Sequence, residues 1–179
     1  YRFYRRHMPH YHVAGSIYFI TWRVHPSLIC LSHRERGVVA NAIKHFNGDR
    51  YDVFSYVVMD DHVHVVVRPR QGQSLVKIIH SWKSFTALQI NAGRARKGSC
   101  WISESMDRII RDDDDLVAKN SYIVCNPWKR WPELEEYAWV ELLPLVARVP
   151  MTRERALELS DAAYVLATAG GDGPEGPSS

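Results

Sequence analysis

Cysteine is scarce and poorly spaced for chemistry of its own: the chain holds three in 179 residues, Cys30, Cys100 and Cys125, with no C-x-x-C pair. That argues against a thiolate zinc site and for a reducing, intracellular setting. No apolar run approaches the ~20 residues of a membrane-spanning helix, and no secretory signal is present. A P-loop is missing, so nucleotide hydrolysis has no phosphate cradle. Net charge is low, with 23 Lys and Arg against 20 Asp and Glu, a balance of +3. Methionine does not open the chain either; Tyr1 is expected of an N-terminus that has been trimmed or renumbered.

What is there is more specific. The length suits one domain with a genuine core. Basic residues cluster: Arg2, Arg5, Arg6 and His7 open the chain, and Lys77, Lys83, Arg94, Arg96 and Lys97 gather around the middle helix and the loop after it. Such clusters release counterions from a phosphate backbone, although a basic helix face can also be simply solvated. The triplet His62-Val63-His64 sits in an apolar, valine-rich run from Tyr56 to Val67. In a strand both imidazoles point to one face, about 6.5–7 Å apart along the chain, while the valines enter a core. Two imidazoles so placed can share a divalent ion, yet the triplet alone is common by chance. Downstream, Tyr122 and Asn126 stand at i and i+4 on a helical stretch, on one face, with Cβ atoms about 6 Å apart. Pro127 follows, so this pair is expected at the helix end.

Periodicity and breakers predict the organisation. Ser16–Val24 reads as a strand, and Ser32-His33-Arg34-Glu35 as a capping box opening a helix to about Phe46. Tyr51–Met59 and His62–Arg68 read as two strands joined at Asp60-Asp61. Ser74 starts a second helix whose apolar positions are Leu75, Ile78, Ile79, Trp82, Phe85 and Leu88. Ala92–Ser99 reads as a basic loop, Arg108–Arg111 as a short strand, and 112–126 as a helix. The sum is an α+β, ferredoxin-like β-α-β-β-α-β sheet with its helices on one face, a further helix, and the other face free for the histidines. Asp112 to Asp115 fit a helix N-cap better than a carboxylate metal cluster. Asp107 reads as a positioning residue, and Trp101, Trp128, Trp131 and Trp139 as packing, with one or two available to stack on bases. The expected domains are 1–140, a helical extension over 141–169 and a disordered tail over 170–179.

In order and spacing, these motifs resemble the single-tyrosine HUH transposases, IS200-like enzymes, and among them the REP-associated tyrosine transposases. The resemblance runs from about Arg5 to Trp139 and rests on Arg6-His7-Met8-Pro9-His10-Tyr11-His12-Val13, the His62-Val63-His64 strand, Trp101-Ile102-Ser103-Glu104-Ser105-Met106-Asp107-Arg108-Ile109-Ile110-Arg111-Asp112, and Tyr122-Ile123-Val124-Cys125-Asn126-Pro127. It implies that Tyr122 is the nucleophile and that His62, His64 and Asn126 hold the metal. One departure is Asp61, where relatives often carry Asn or Glu. The resemblance further implies a covalent 5′-phosphotyrosine and single-stranded, hairpin-forming REP-type DNA as substrate, in a bacterial cytoplasm with the nucleoid.

Chemistry supports the same design. A free tyrosine has a pKa near 10, so charge neutralisation at the phosphate is needed. Mg²⁺ or Mn²⁺ would supply it as a Lewis acid, with imidazole favouring Mn²⁺. Candidate DNA contacts are Arg5, Arg6, His10, Lys83, Arg94, Arg96 and Lys97. No membrane partner is expected, and monomer and homodimer stay open. Two other classes stay open as well: a non-catalytic nucleic-acid-binding module on a ferredoxin-like sheet, and a hydrolase whose metal activates water.

Overall fold

The computed structural model describes residues 15–143 and 151–169, and within the second stretch the side chains of 152–161. Arg5, Arg6, His10 and the tail from Gly170 lie outside the described residues.

The first strand, β1 (Tyr18–Val24), leads through a 3-10 turn to α1 (His33–Lys44). Ser32 caps α1 as expected, and the reciprocal bond from its own backbone N–H to Glu35 is made at 2.7 Å. A hairpin of β2 (Tyr51–Val58) and β3 (His62–Pro69) follows, then α2 (Leu75–Gly93) with Ser74 as its cap, and β4 (Trp101–Ile109). Next come α3 (Asp113–Arg130), the short β5 (Glu136–Tyr137) and β6 (Val140–Leu142), β7 (Met151–Thr152) and α4 (Arg153–Ala169). The main sheet is antiparallel in the order β4-β1-β3-β2-β6, the β-α-β-β-α-β arrangement with β6 added beside β2.

Alternation along the strands builds two cores. Tyr18, Ile20 and Trp22 of β1 and Val63, Val65 and Val67 of β3 face α1 and α2, where Ile43, Ile78 and Trp82 complete the larger one. The residues between them face the other way. There Val57, Met59 and Val66 meet Ile123, Val124 and Trp128 of α3 and Ala156 of α4. The face expected to be free is therefore covered by the helix that carries Tyr122. The apolar stripe of α3 has to be buried somewhere, and this is the sheet face that α1 and α2 leave open.

Three local expectations need correction. β4 is nine residues long and begins at Trp101, well before Arg108; as an edge strand it carries polar Ser103, Glu104 and Ser105, which hid its period. Pro127 does not end α3, which runs on to Arg130 with Pro127 inside it. Trp128 is 8% exposed in the second core, and its indole N–H donates to the Leu134 carbonyl at 2.7 Å, so tertiary packing outweighs the proline's lost N–H. Phe85 and Leu88 are 51% and 69% exposed, and Thr86 and Ile90 take their place on the buried stripe of α2. Asp112 caps α3 through Asp115 N–H at 2.8 Å, as its position predicts.

Candidate active site

Register positions the histidines. β3 pairs with β1 so that Thr21 lies opposite His64 and Arg23 opposite His62. The two imidazole centres are 4.6 Å apart on the α3 side of the sheet. Each ring has one nitrogen already engaged. His64 Nδ1 is 2.7 Å from the Thr21 hydroxyl, and His62 Nδ1 is 2.6 Å from an Asp61 carboxylate oxygen. His64 is 6% exposed, and its Nε2 is buried without a hydrogen-bond partner among the described residues. Burial first, then the neighbouring charges of His62 and Arg23, push its pKa down to about 3, so the ring is neutral.

Above this pair sits α3. The Tyr122 ring centre is 5.2 Å from that of His64, and both rest against Phe19 of β1, which stacks on His64 at 5.3 Å. Tyr122 remains 39% exposed. Asn126, one turn on, is buried at 8% exposure. Three lysine and arginine side chains of α3 frame the cluster. Lys129 Nζ lies 4.7 Å from the Tyr122 ring centre and Lys119 Nζ 5.5 Å from that of Phe19. Arg130 reaches the β2–β3 turn, 2.9 Å from Asp60 and 3.7 Å from Asp61. Asp61 is thus shared between His62 and Arg130. Burial opposes its ionisation, but the His62 bond and the charges of His62 and Arg130 outweigh it and hold its carboxyl below the ordinary range.

Does this donor set fit a divalent ion? A buried imidazole nitrogen with no partner is costly unless something fills that role. A ligating histidine normally commits its other nitrogen to a carboxylate or hydroxyl, as both do here. The residues fit. Among the described residues no group of three or more His, Cys, Asp or Glu converges.

Comparison with known proteins bears on the same region. Residues 20–106 match the family model described as "Transposase IS200 like", a segment that holds both histidines. The match covers 87 of the 179 residues, and over that segment the chain is similar to the IS200-like transposase family. That family comprises tyrosine HUH endonucleases, which cleave single-stranded DNA. The match stops before α3, so Tyr122 and Asn126 lie beyond it. In overall shape the chain resembles the solved structure of a REP-associated tyrosine transposase bound to a REP hairpin. The TM-score is 0.56 at 18% identity, covering 85% of this chain and 94% of that one, a likeness of fold. A candidate transposase from Deinococcus radiodurans aligns at TM-score 0.43 and 16% identity over 65% of this chain and 94% of its own, too distant to add to the argument. No curated protein matches significantly.

The remaining candidates sit elsewhere. Arg94 is clamped to Glu35 by two bonds of 2.5 Å and to the Leu28 and Cys30 carbonyls. Arg96 bonds the Ser27 hydroxyl, and Lys83 donates to the carbonyls of Ile102 and Ser103 at 2.8 Å each. Lys97 is exposed. Trp101 and Trp128 are packing residues, each with its indole N–H bonded inside the protein. Sequence reasoning missed Phe19, Thr21 and the structural use of Asp61, which depend on strand register. Lys119 and Lys129, at i−3 and i+7 from Tyr122, were within reach of helical spacing. Among the described residues no helix is long and apolar enough to cross a membrane.

Proposed function

We propose that this protein is an IS200-like transposase, a metal-dependent transesterase that cuts and rejoins single-stranded, hairpin-forming DNA of the REP type through Tyr122. The carrying observation is the packing of Tyr122 5.2 Å, centre to centre, from a histidine whose outer nitrogen is buried with no hydrogen-bond partner among the described residues. His62, His64 and Asn126 would hold Mg²⁺ or Mn²⁺. When bound, such an ion supplies Lewis-acid stabilisation of charge on the non-bridging phosphate oxygens.

The protein's own groups do the rest. Thr21 and Asp61 fix the two imidazoles, and Phe19 braces His64 against Tyr122. The Tyr122 oxygen forms a bond to phosphorus as the P–O3′ bond breaks. The phenolic proton passes to solvent and the departing 3′-oxygen leaves as a hydroxyl. The 5′-phosphate stays on the tyrosine, and attack by another 3′-hydroxyl reverses the step, so no nucleotide need be hydrolysed. Lys129 and Lys119 bring positive charge to the same face. Arg5, Arg6, His10, Lys83, Arg94, Arg96 and Lys97 remain the proposed contacts to the hairpin, with Arg94 the least available. The working compartment on this reading is the cytoplasm, with the nucleoid. A labelled hairpin oligonucleotide incubated with Mn²⁺ tests the proposal through the covalent adduct described below.

A further inference from the structure

α3 and α4 lie side by side, and a groove of about 460 Å³ runs between them with Tyr122 in its wall. That is within the range of small-ligand sites, about 300–1,000 Å³. Helical spacing makes its composition informative. α4 turns Arg153, Ala156, Leu157 and Ser160 into the groove, an i, i+3, i+4, i+7 set. Glu154, Glu158 and Asp161 each stand one residue further round and do not line it. α3 contributes Lys129. Cations therefore stand on both walls, and no described carboxylate does. The base is apolar: Ala156 is 1% and Trp128 8% exposed, while Leu157 rises 49% exposed on the rim.

We propose that this groove holds single-stranded DNA beside the scissile phosphate. Lys129 and Arg153 take backbone phosphates, and Leu157 lies against a base. The occupant follows from complementarity. A doubly cationic groove without carboxylates suits a polyanion, and an apolar rim suits the face of any base without reading its identity. Its opening onto Tyr122 brings the strand to the nucleophile, and for that consequence alone the inference rests on the proposed function. α4, like α3, lies outside the segment matched by the family model.

The test is fluorescence anisotropy of labelled oligothymidylate with EDTA present, which removes cleavage from the readout. Arg153→Glu and Ser160→Glu put negative charge into the groove. Arg155→Glu makes the same net change as Arg153→Glu on α4, outside the groove. The expected result is about tenfold weaker binding for the first two, with the salt slope for Arg153→Glu reduced by about one to two, and a change under about twofold for Arg155→Glu. Thermal melts of all three confirm folding. Equal weakening by both arginine variants, unchanged affinity, or no binding by the wild type would each overturn the proposal. A hairpin adduct on Tyr122 is scored separately, so loss of the groove and loss of the nucleophile are distinguishable.

Discussion

The Thr21 hydroxyl lies 2.7 Å from His64 Nδ1, across the β1–β3 pairing and 43 residues away in the chain. For Nε2 to present a lone pair, Nδ1 must carry the proton and donate it to the threonine oxygen. Replacing Thr21 with valine keeps the shape and removes the acceptor. Mn²⁺ affinity, followed by electron paramagnetic resonance of the free ion, is expected to fall about tenfold or more. The metal-free protein should also melt a few degrees earlier, because the buried Nδ1–H loses its acceptor at a cost of about 1–3 kcal/mol.

Arg130 joins the tyrosine helix to the turn before the histidines. Its side chain is 45% exposed, so screening limits the stability at stake to about 0.2–1 kcal/mol. Activity should be hit harder. Arg130→Gln is expected to lower the single-turnover rate of adduct formation several-fold with a near-normal melt. A variant that melts early in proportion to its loss of rate would assign Arg130 to stability alone.

The His64 shift makes a prediction about acid. With an ordinary pKa of 6.5 and a folded value of about 3, the unfolded chain binds more protons between those limits. Stability of the metal-free protein therefore falls as pH drops below about 6.5, with about 2 kcal/mol lost by pH 5. Glu35 adds the same sign lower down. Burial opposes its charge, yet the Arg94 and Ser32 bonds prevail and hold its carboxyl below the usual range, so its contribution is lost as pH falls through that depressed value. His64→Gln should flatten the pH 5–7 part of the profile, measured by urea unfolding at each pH. An equal slope in wild type and variant would contradict it.

Arg94 and Lys97, three residues apart, should separate structure from binding. Arg94 ties the end of α2 to the cap of α1 and to the loop before it. Arg94→Ala is expected to cost about 2 kcal/mol, or a melting shift of about 4–8 °C. Lys97→Ala should leave the melt unchanged and weaken oligonucleotide binding, more at low salt than at high.

How much of this was legible beforehand depends on distance along the chain. The Ser32–Glu35 box, the Ser74 cap and the Asp112 cap are local, and each stands where the residues predict it. The common face of His62 and His64 follows from strand alternation alone. What could not be read is non-local. Nothing near Tyr122 says which sheet face α3 covers, and nothing near His64 says that Thr21 will be its partner. Polar Ser103, Glu104 and Ser105 masked an edge strand, and Pro127 suggested an end that the burial of Trp128 overrides. Arg94 read as a free cation because its carboxylate, Glu35, is 59 residues away.

The most direct test is the adduct itself. Wild type and Tyr122→Phe are incubated with an end-labelled, single-stranded hairpin oligonucleotide and Mn²⁺, then resolved on a denaturing gel. The account predicts a metal-dependent covalent protein–DNA band in wild type and none in the variant. An adduct that survives Tyr122→Phe, or hairpin binding with no adduct under either Mn²⁺ or Mg²⁺, would contradict it.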